Sequence, residues 1–285
     1  MESPSATPSP AALKVAGLTR RYGDTLAVAD LSFEVRPGEI LGLVGPNGAG
    51  KTTTLRSIVG VLPLQHGSVE IAGHDLASDE VAAKRALAWV PDDPQPFDTL
   101  TVEEHLEVTA RLYEVRDWEP RAEELLERFE LVEKREALGG ELSRGMRQKL
   151  AFCCAWLSRP RLVLMDEPLS GLDPRGIRSA REAIAEVASS GAAVVLSSHL
   201  LELIEALADR LLIVARGRCE FHGTLEEARA LHASDGSSGL EELFMTITEG
   251  RAPTMGDPVR PEASDDARTG GGTSAVEGDK SGQGG

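Results

Sequence analysis

Ile40-Leu41-Gly42-Leu43-Val44 runs directly into Gly45-Pro46-Asn47-Gly48-Ala49-Gly50-Lys51-Thr52, and the rest of the chain is organised around this junction. The apolar run has the pattern of a strand buried on both faces. The octapeptide after it matches G-x-x-x-x-G-K-[ST], the composition of a phosphate cradle. Glycines at 45, 48 and 50 remove the Cβ atoms that would keep backbone N–H groups off a polyphosphate, and they permit positive φ where the turn needs it. Thr52 to Val59 reads as the helix into which the loop opens, its N-terminal N–H groups and dipole facing the phosphates. Lys51 would bring charge to the β- and γ-phosphates, and the Thr52 hydroxyl an oxygen ligand for Mg²⁺. The competing reading is a chance match in an ordinary turn, and only partners elsewhere in the chain separate the two.

The 285 residues, 41% of them hydrophobic, suffice for one sizeable core, or for one core with a smaller helical appendage. No apolar run approaches the roughly 18 residues of a membrane span. Residues 1–12 are rich in Ser, Pro and Ala and lack the basic start and apolar stretch of a signal peptide, so the expectation is a disordered leader on a cytoplasmic protein. Cys153, Cys154 and Cys219 have neither disulfide nor metal-ligand spacing and read as packed thiols. The net charge is −16, of which the tail Glu249–Gly285, with seven acids and four bases, accounts for only three. An acidic folded part weighs against duplex binding, so no nucleic-acid partner is expected.

Outward from the junction, Leu13-Lys14-Val15, Leu26-Ala27-Val28 and the alternating Leu31-Ser32-Phe33-Glu34-Val35 have strand character. So do Ser68–Gly73 and Leu87–Pro91. From Asp98 to Glu141 acids dominate and apolar residues take helical spacing, as in Val102, Leu106, Ala110 and Tyr113. Thr101 and Glu104 form a capping box at the first of these helices, and a third helix runs from Ser143 to about Ser158, stopped by Pro160. Strands return at Leu162–Met165, Ala192–Leu196 and Leu211–Val214, alternating with helices, which predicts a parallel sheet covered on both faces. Gly239–Phe244 reads as a last helical piece before a Gly-, Pro- and Ser-rich tail that cannot bury enough apolar surface to fold.

A phosphate loop needs a second, carboxylate-bearing strand, and Leu162-Val163-Leu164-Met165-Asp166-Glu167 supplies one. Asp166 would hold Mg²⁺ or its water shell, and Glu167 would polarise an attacking water. Ser143 and Gly145 open a helix at Leu142-Ser143-Arg144-Gly145-Met146-Arg147-Gln148. They are either a plain N-cap or an anion site built from a hydroxyl, an N–H and the helix dipole. His199, at the carboxyl end of the next strand, is either a satisfied polar residue or a ligand-facing one, since open parallel sheets bind ligands at that end.

Together the order and sequence of these segments resemble the nucleotide-binding domain of the ATP-binding cassette (ABC) family, over roughly Leu13 to Thr248. The resemblance implies an α/β fold: a P-loop NTPase core of RecA-like type with a mostly parallel sheet, an antiparallel β portion and an inserted helical subdomain at about residues 93–160. The leader is then 1–12, the ATPase domain 13–248 and the tail 249–285. It implies that ATP is held by Gly45, Pro46, Asn47, Gly48, Ala49, Gly50, Lys51, Thr52 and Thr53. Tyr22 would stack on adenine, although an aromatic beside a turn is also often only packing. The resemblance further implies that Mg²⁺ is held by Thr52, Asp166 and Asp92, that Lys51, Glu167 and His199 are catalytic, and that Asp173 is the D-loop acid. Ser143 and Gly145 would meet ATP held by a second cassette, in a homodimer or heterodimer.

Two departures stand out. Arg144 and Met146 replace Gly and Gln of the usual Leu-Ser-Gly-Gly-Gln signature, and Asp92 stands where the family usually has Gln. Aspartate keeps an oxygen for the metal but lacks the amide donor and its reach, and Gln95 is not an obvious substitute. The resemblance is nearest to single-cassette proteins of exporter type. It implies an ATPase driving transport through integral membrane permease subunits on separate chains, docked through the surface around Asp92 and the helical subdomain, on the inner face of the cell membrane. A soluble cassette ATPase of translation, DNA repair or cofactor assembly is the alternative, and a nucleotide-gated module that barely hydrolyses is a third.

Overall fold

The computed structural model describes residues 11–232 and residue 244. An antiparallel hairpin of β1 (Leu13–Tyr22) and β2 (Thr25–Val35) leads into β3 (Ile40–Val44), whose five residues are all buried. The two short runs expected between residues 26 and 35 are one strand, with irregular pairing and a left-handed Asp30 (φ 52°) absorbing the break between them. Then come α1 (Lys51–Ile58), β4 (His66–Ile71), β5 (His74–Asp75), α2 (Glu80–Arg85) and β6 (Leu87–Val90). The helical segment contains α3 (Val102–Leu112), α4 (Glu119–Arg128) and α5 (Arg144–Leu157). The chain continues through β7 (Leu162–Asp166), α6 (Pro174–Ser189), β8 (Ala193–Ser197), α7 (Leu201–Leu207), β9 (Arg210–Ala215), β10 (Arg218–Thr224) and α8 (Leu225–His232).

Two sheets result. One is antiparallel, in the order β2-β1-β4-β5; the other runs β10-β9-β3-β8-β7-β6, parallel except for β10. The apolar runs of the parallel strands divide by period two. Ile40, Val44, Val163, Met165, Val194 and Leu196 face the helical side, while Leu41, Leu43, Leu162, Leu164, Val195 and Leu212 face α1 and the antiparallel sheet. Both faces are covered, which is why these strands carry no polar alternation. The loops that carry the phosphate motif, the two carboxylates and His199 leave the carboxyl ends of β3, β7 and β8, neighbours in the sheet.

The helices between β6 and β7 have their own aromatic centre. Phe129 and Phe152 stack with centroids 5.3 Å apart, Trp156 meets Phe152 edge-on at 5.2 Å, and its indole N–H donates to the Ala183 carbonyl at 3.2 Å. Each buried aromatic of this kind contributes about 1.5–3 kcal/mol of transfer free energy. The Thr101 capping box is present: Glu104 N–H donates to Thr101 Oγ1 at 3.1 Å, and Thr101 N–H donates to Glu104 Oε2 at 2.7 Å.

Two expectations are corrected. Ala12, assigned to the leader, is 5% exposed; its N–H donates to Val35 O and its carbonyl accepts from Ala72, so pairing with both neighbours of β1 starts before Leu13. Cys219 is exposed on β10, unlike the buried Cys153, because that edge strand has only one covered face. Of the helical piece at Gly239–Phe244, only Phe244 lies within the described residues, where it packs against the core. The rest of it and the tail lie outside them. Among the described residues no helix is long and apolar enough to cross a membrane.

Candidate functional site

The loop after β3 wraps a cavity of about 290 Å³ lined by Asn47, Gly48, Ala49, Gly50, Lys51, Thr52 and Thr53, together with Ala27, Asp92, Asp166 and Glu167. Two glycines are dictated by close backbone approach. A Cβ on Gly45 would lie 2.3 Å from the Val214 carbonyl oxygen; one on Gly50 would lie 2.3 Å from that of Ala27, and Gly50 adopts φ 104° at the N-cap of α1. The helix thus starts at Lys51, one residue before the sequence expectation, with no side-chain cap, so its first N–H groups are available to an anion. Lys51 is largely buried; its ammonium donates to the loop carbonyls of Gly45 at 2.7 Å and Pro46 at 3.3 Å. Burial lowers its pKa below the ordinary lysine value, and the negative charges of Glu167 and Asp166 partly oppose that shift.

β8 lies between β3 and β7 and ties the carboxylates to the loops. The Ser197 hydroxyl donates to Asp166 Oδ1 at 2.6 Å, a buried link that fixes one carboxylate oxygen and leaves the other for the cavity. Glu167 turns the chain in the left-handed region (φ 46°), a conformation that costs a non-glycine residue free energy and that occurs at sites needing a side chain aimed sharply. Its N–H donates to the Ser197 carbonyl at 3.0 Å. Its Oε2 receives the His199 ring Nδ1 at 2.7 Å, the His199 backbone N–H at 3.2 Å and the Ser198 hydroxyl at 3.4 Å.

The sequence residues do not all converge. His199 reaches the cavity through Glu167 rather than as a wall of it. Tyr22 is half-exposed at the end of the hairpin whose Ala27 lines the cavity, with the Arg20 guanidinium 5.1 Å from its ring centroid. Ser143 is the N-cap of α5, accepting from Met146 N–H at 3.3 Å, so the plain capping role is met. Ser143 and Gly145 lie outside the lining of the cavity of their own chain. Asp173 caps α6, accepting from Gly176 N–H at 3.0 Å with Lys149 3.6 Å away. That backbone bond, reinforced by Lys149, holds its carboxyl below the usual range. Asp92 does line the cavity, whereas Gln95 donates to Asp93 Oδ2 at 2.7 Å and belongs to a different groove. That groove, about 300 Å³, lies between β6 and the helices and is lined by Trp89, His105, Tyr113, Arg147 and Cys154 among others. Burial pushes the Cys154 thiol up to about 11, so it stays protonated.

Sequence reasoning missed Ala27 and Ser197. Ala27 carries no chemistry in its side chain and contributes through backbone position. Ser197 sits in Ser-Ser-His, and its link to Asp166 depends on the register of β7 against β8 (Asp166 opposite Ser197), which the sequence does not announce.

The sequence model of the family described as ABC transporter matches residues 28–170. The ABC-type transporter ATP-binding protein EcsA of Bacillus subtilis is 34% identical over 239 residues, which span 83% of this chain and 96% of that protein. The Nod factor export ATP-binding protein I of Burkholderia thailandensis is 38% identical over 201 residues, 70% of this chain and 66% of that protein. A solved structure described as the ATP binding subunit of an ABC transporter superposes with a TM-score of 0.79 at 35% identity, covering 82% of this chain and 98% of the other.

Proposed function

Because this chain belongs to the ABC transporter family as an ATP-binding subunit, we propose that it is the Mg²⁺-dependent ATPase of an exporter whose membrane-spanning subunits are separate chains. The observation that carries this is the convergence on one cavity of Lys51, Thr52, Asp166 and Glu167, with His199 bonded to Glu167.

The donor set suits a hard divalent cation: a hydroxyl at Thr52 and a free carboxylate oxygen at Asp166, with Asp92 on the same wall. Bound there, Mg²⁺ would neutralise charge developing on the β- and γ-phosphate oxygens. The chain's own residues do the remainder. The loop N–H groups and the start of α1 bind the phosphates, and Lys51 exchanges its bonds to loop carbonyls for phosphate oxygens. Glu167 orients the attacking water and accepts its proton, and His199 holds that carboxylate from one side. Tyr22 offers a face for the adenine ring.

In this reading Ser143 and Gly145 complete the site of a second cassette, so that two ATP close two chains. The groove beside β6 supports docking to a permease, and closure of the pair would then move the permease. The chain works at the cytoplasmic face of the membrane through that partner. The transporter and export roles of the two relatives favour this over a soluble partner in translation, repair or cofactor assembly.

The test is co-purification from native membranes of full-length Glu167→Gln trapped with ATP, beside Lys51→Ala as the weakly binding control at an ATP concentration that saturates only the first. Recovery of a multi-spanning protein with the first and not the second is the expected result. Recovery of soluble partners alone from well-solubilised membranes would overturn the transporter reading.

A further inference from the structure

Two of the three positions at which this chain departs from the family pattern, Asp92 and Arg144, are in contact. Arg144 Nη2 donates to Asp92 Oδ1 at 3.2 Å and to Ser170 Oγ at 2.9 Å. The arginine stem lies against Gly171, where a Cβ would come within 3.2 Å of Cδ and 3.3 Å of Cγ. One turn further along the same face of α5, the buried Gln148 donates from Nε2 to the Pro91 carbonyl at 3.4 Å. Side chains 144 and 148 therefore grip residues 92 and 91, while Arg144 also holds the loop after β7, whose Ser170 N–H donates to the Glu167 carbonyl. Asp92 meanwhile shares the cavity wall with Lys51, Asp166 and Glu167.

An exposed ion pair by itself contributes little. What matters is charge and orientation at the cavity rim. A glutamine side chain offers one acceptor and one donor group; an ionised aspartate offers acceptors only. Unaccompanied, Asp92 would add a third carboxylate to a wall that meets a polyanion. Paired with Arg144, it brings no net charge, and the guanidinium provides the donor that aspartate lacks.

We propose that Arg144 is a positioning residue for Asp92: it neutralises and orients the carboxylate from the first turn of α5, so that Arg144 and Asp92 together replace the family's single amide beside the nucleotide. The changes at positions 92 and 144 are then one compensated change. This rests on the assignment of the cavity as the ATP site.

The experiment measures the Kd of Mg·ATP calorimetrically on the full chain carrying Glu167→Gln, alone and with Arg144→Gly, Asp92→Gln or both. Arg144→Gly is expected to weaken binding about fivefold, by an amount that fades as ionic strength rises. In the Asp92→Gln background, where there is no carboxylate for Arg144 to neutralise, Arg144→Gly is expected to change affinity by no more than about twofold, against about fivefold in the parent. A packing defect at Arg144 would be neither relieved by salt nor rescued by Asp92→Gln. Unchanged affinity in Arg144→Gly, or strictly additive effects in the double variant, would overturn the proposal. Failure of the parent itself to bind Mg·ATP would instead overturn the assignment of the site.

Discussion

His199 and Glu167 are joined twice through one oxygen: Glu167 Oε2 lies 2.7 Å from the ring Nδ1 of His199 and 3.2 Å from its backbone nitrogen. A carboxylate accepts, so Nδ1 carries the proton in this contact. In the mechanism proposed above, the histidine sets the direction of the Glu167 carboxylate. His199→Ala is therefore expected to lower turnover about 10²-fold or more while leaving ATP affinity within a few-fold. Phosphate release and equilibrium binding, measured side by side, check this; turnover retained within twofold would sink it.

Lys51 combines burial, a lowered pKa and two carbonyl bonds within its own loop. Lys51→Ala removes both the charge and an internal strut of the cradle. ATP affinity should fall about 10- to 100-fold, read by displacement of a fluorescent nucleotide. Thermal stability should change little by comparison, since the neighbouring backbone is held by Val214, Ala27 and Gly217 rather than by the lysine.

His222 reports on stability rather than catalysis. Its Nε2 lies 3.0 Å from Arg210 Nη2, and burial followed by the Arg210 charge lowers its pKa below 6.5. The unfolded chain then takes up a proton at higher pH than the folded one, so stability falls as pH drops from about 6.5 to the folded value and levels off beneath it. Denaturant unfolding between pH 7.5 and 5 should show this slope, and His222→Gln should flatten it.

At the entry to α3, Thr101→Ala removes the hydroxyl half of a complete capping box. The expected cost is about 1 kcal/mol of stability, measured by urea unfolding with an unchanged m-value. The ATPase of the folded protein should be retained.

Features carried by periodicity or by a motif were legible in the sequence: the strand into Gly45–Thr52, the buried strands ending at Asp166 and Ser197, the capping box at Thr101 and the N-cap at Ser143. Features made by register or long-range contact were not. The continuity of β2 through Asp30 depends on a left-handed residue that no alternation pattern announces. The contact between Asp92 and Arg144, 52 positions apart, follows from where α5 lies against β6. Arg144 could be recognised as unusual, yet only packing gives it a partner. Tyr22 stayed open because a half-exposed aromatic in a hairpin has the same sequence signature whether it packs or binds.

The phosphate loop is held by backbone from two other parts of the chain, β2 and the turn between β9 and β10, which are themselves tied together. Gly217 N–H donates to the Ala49 carbonyl at 3.1 Å, Ala29 N–H donates to the Gly217 carbonyl at 2.8 Å, and the Ala27 carbonyl closes over Gly50. A chain emerging from the ribosome with fewer than 217 residues thus carries the whole phosphate-binding motif without the turn that clamps it. Nucleotide affinity should be acquired late in synthesis, when the hairpin of β9 and β10 has returned, so that a partly made subunit is spared futile competition for cellular ATP.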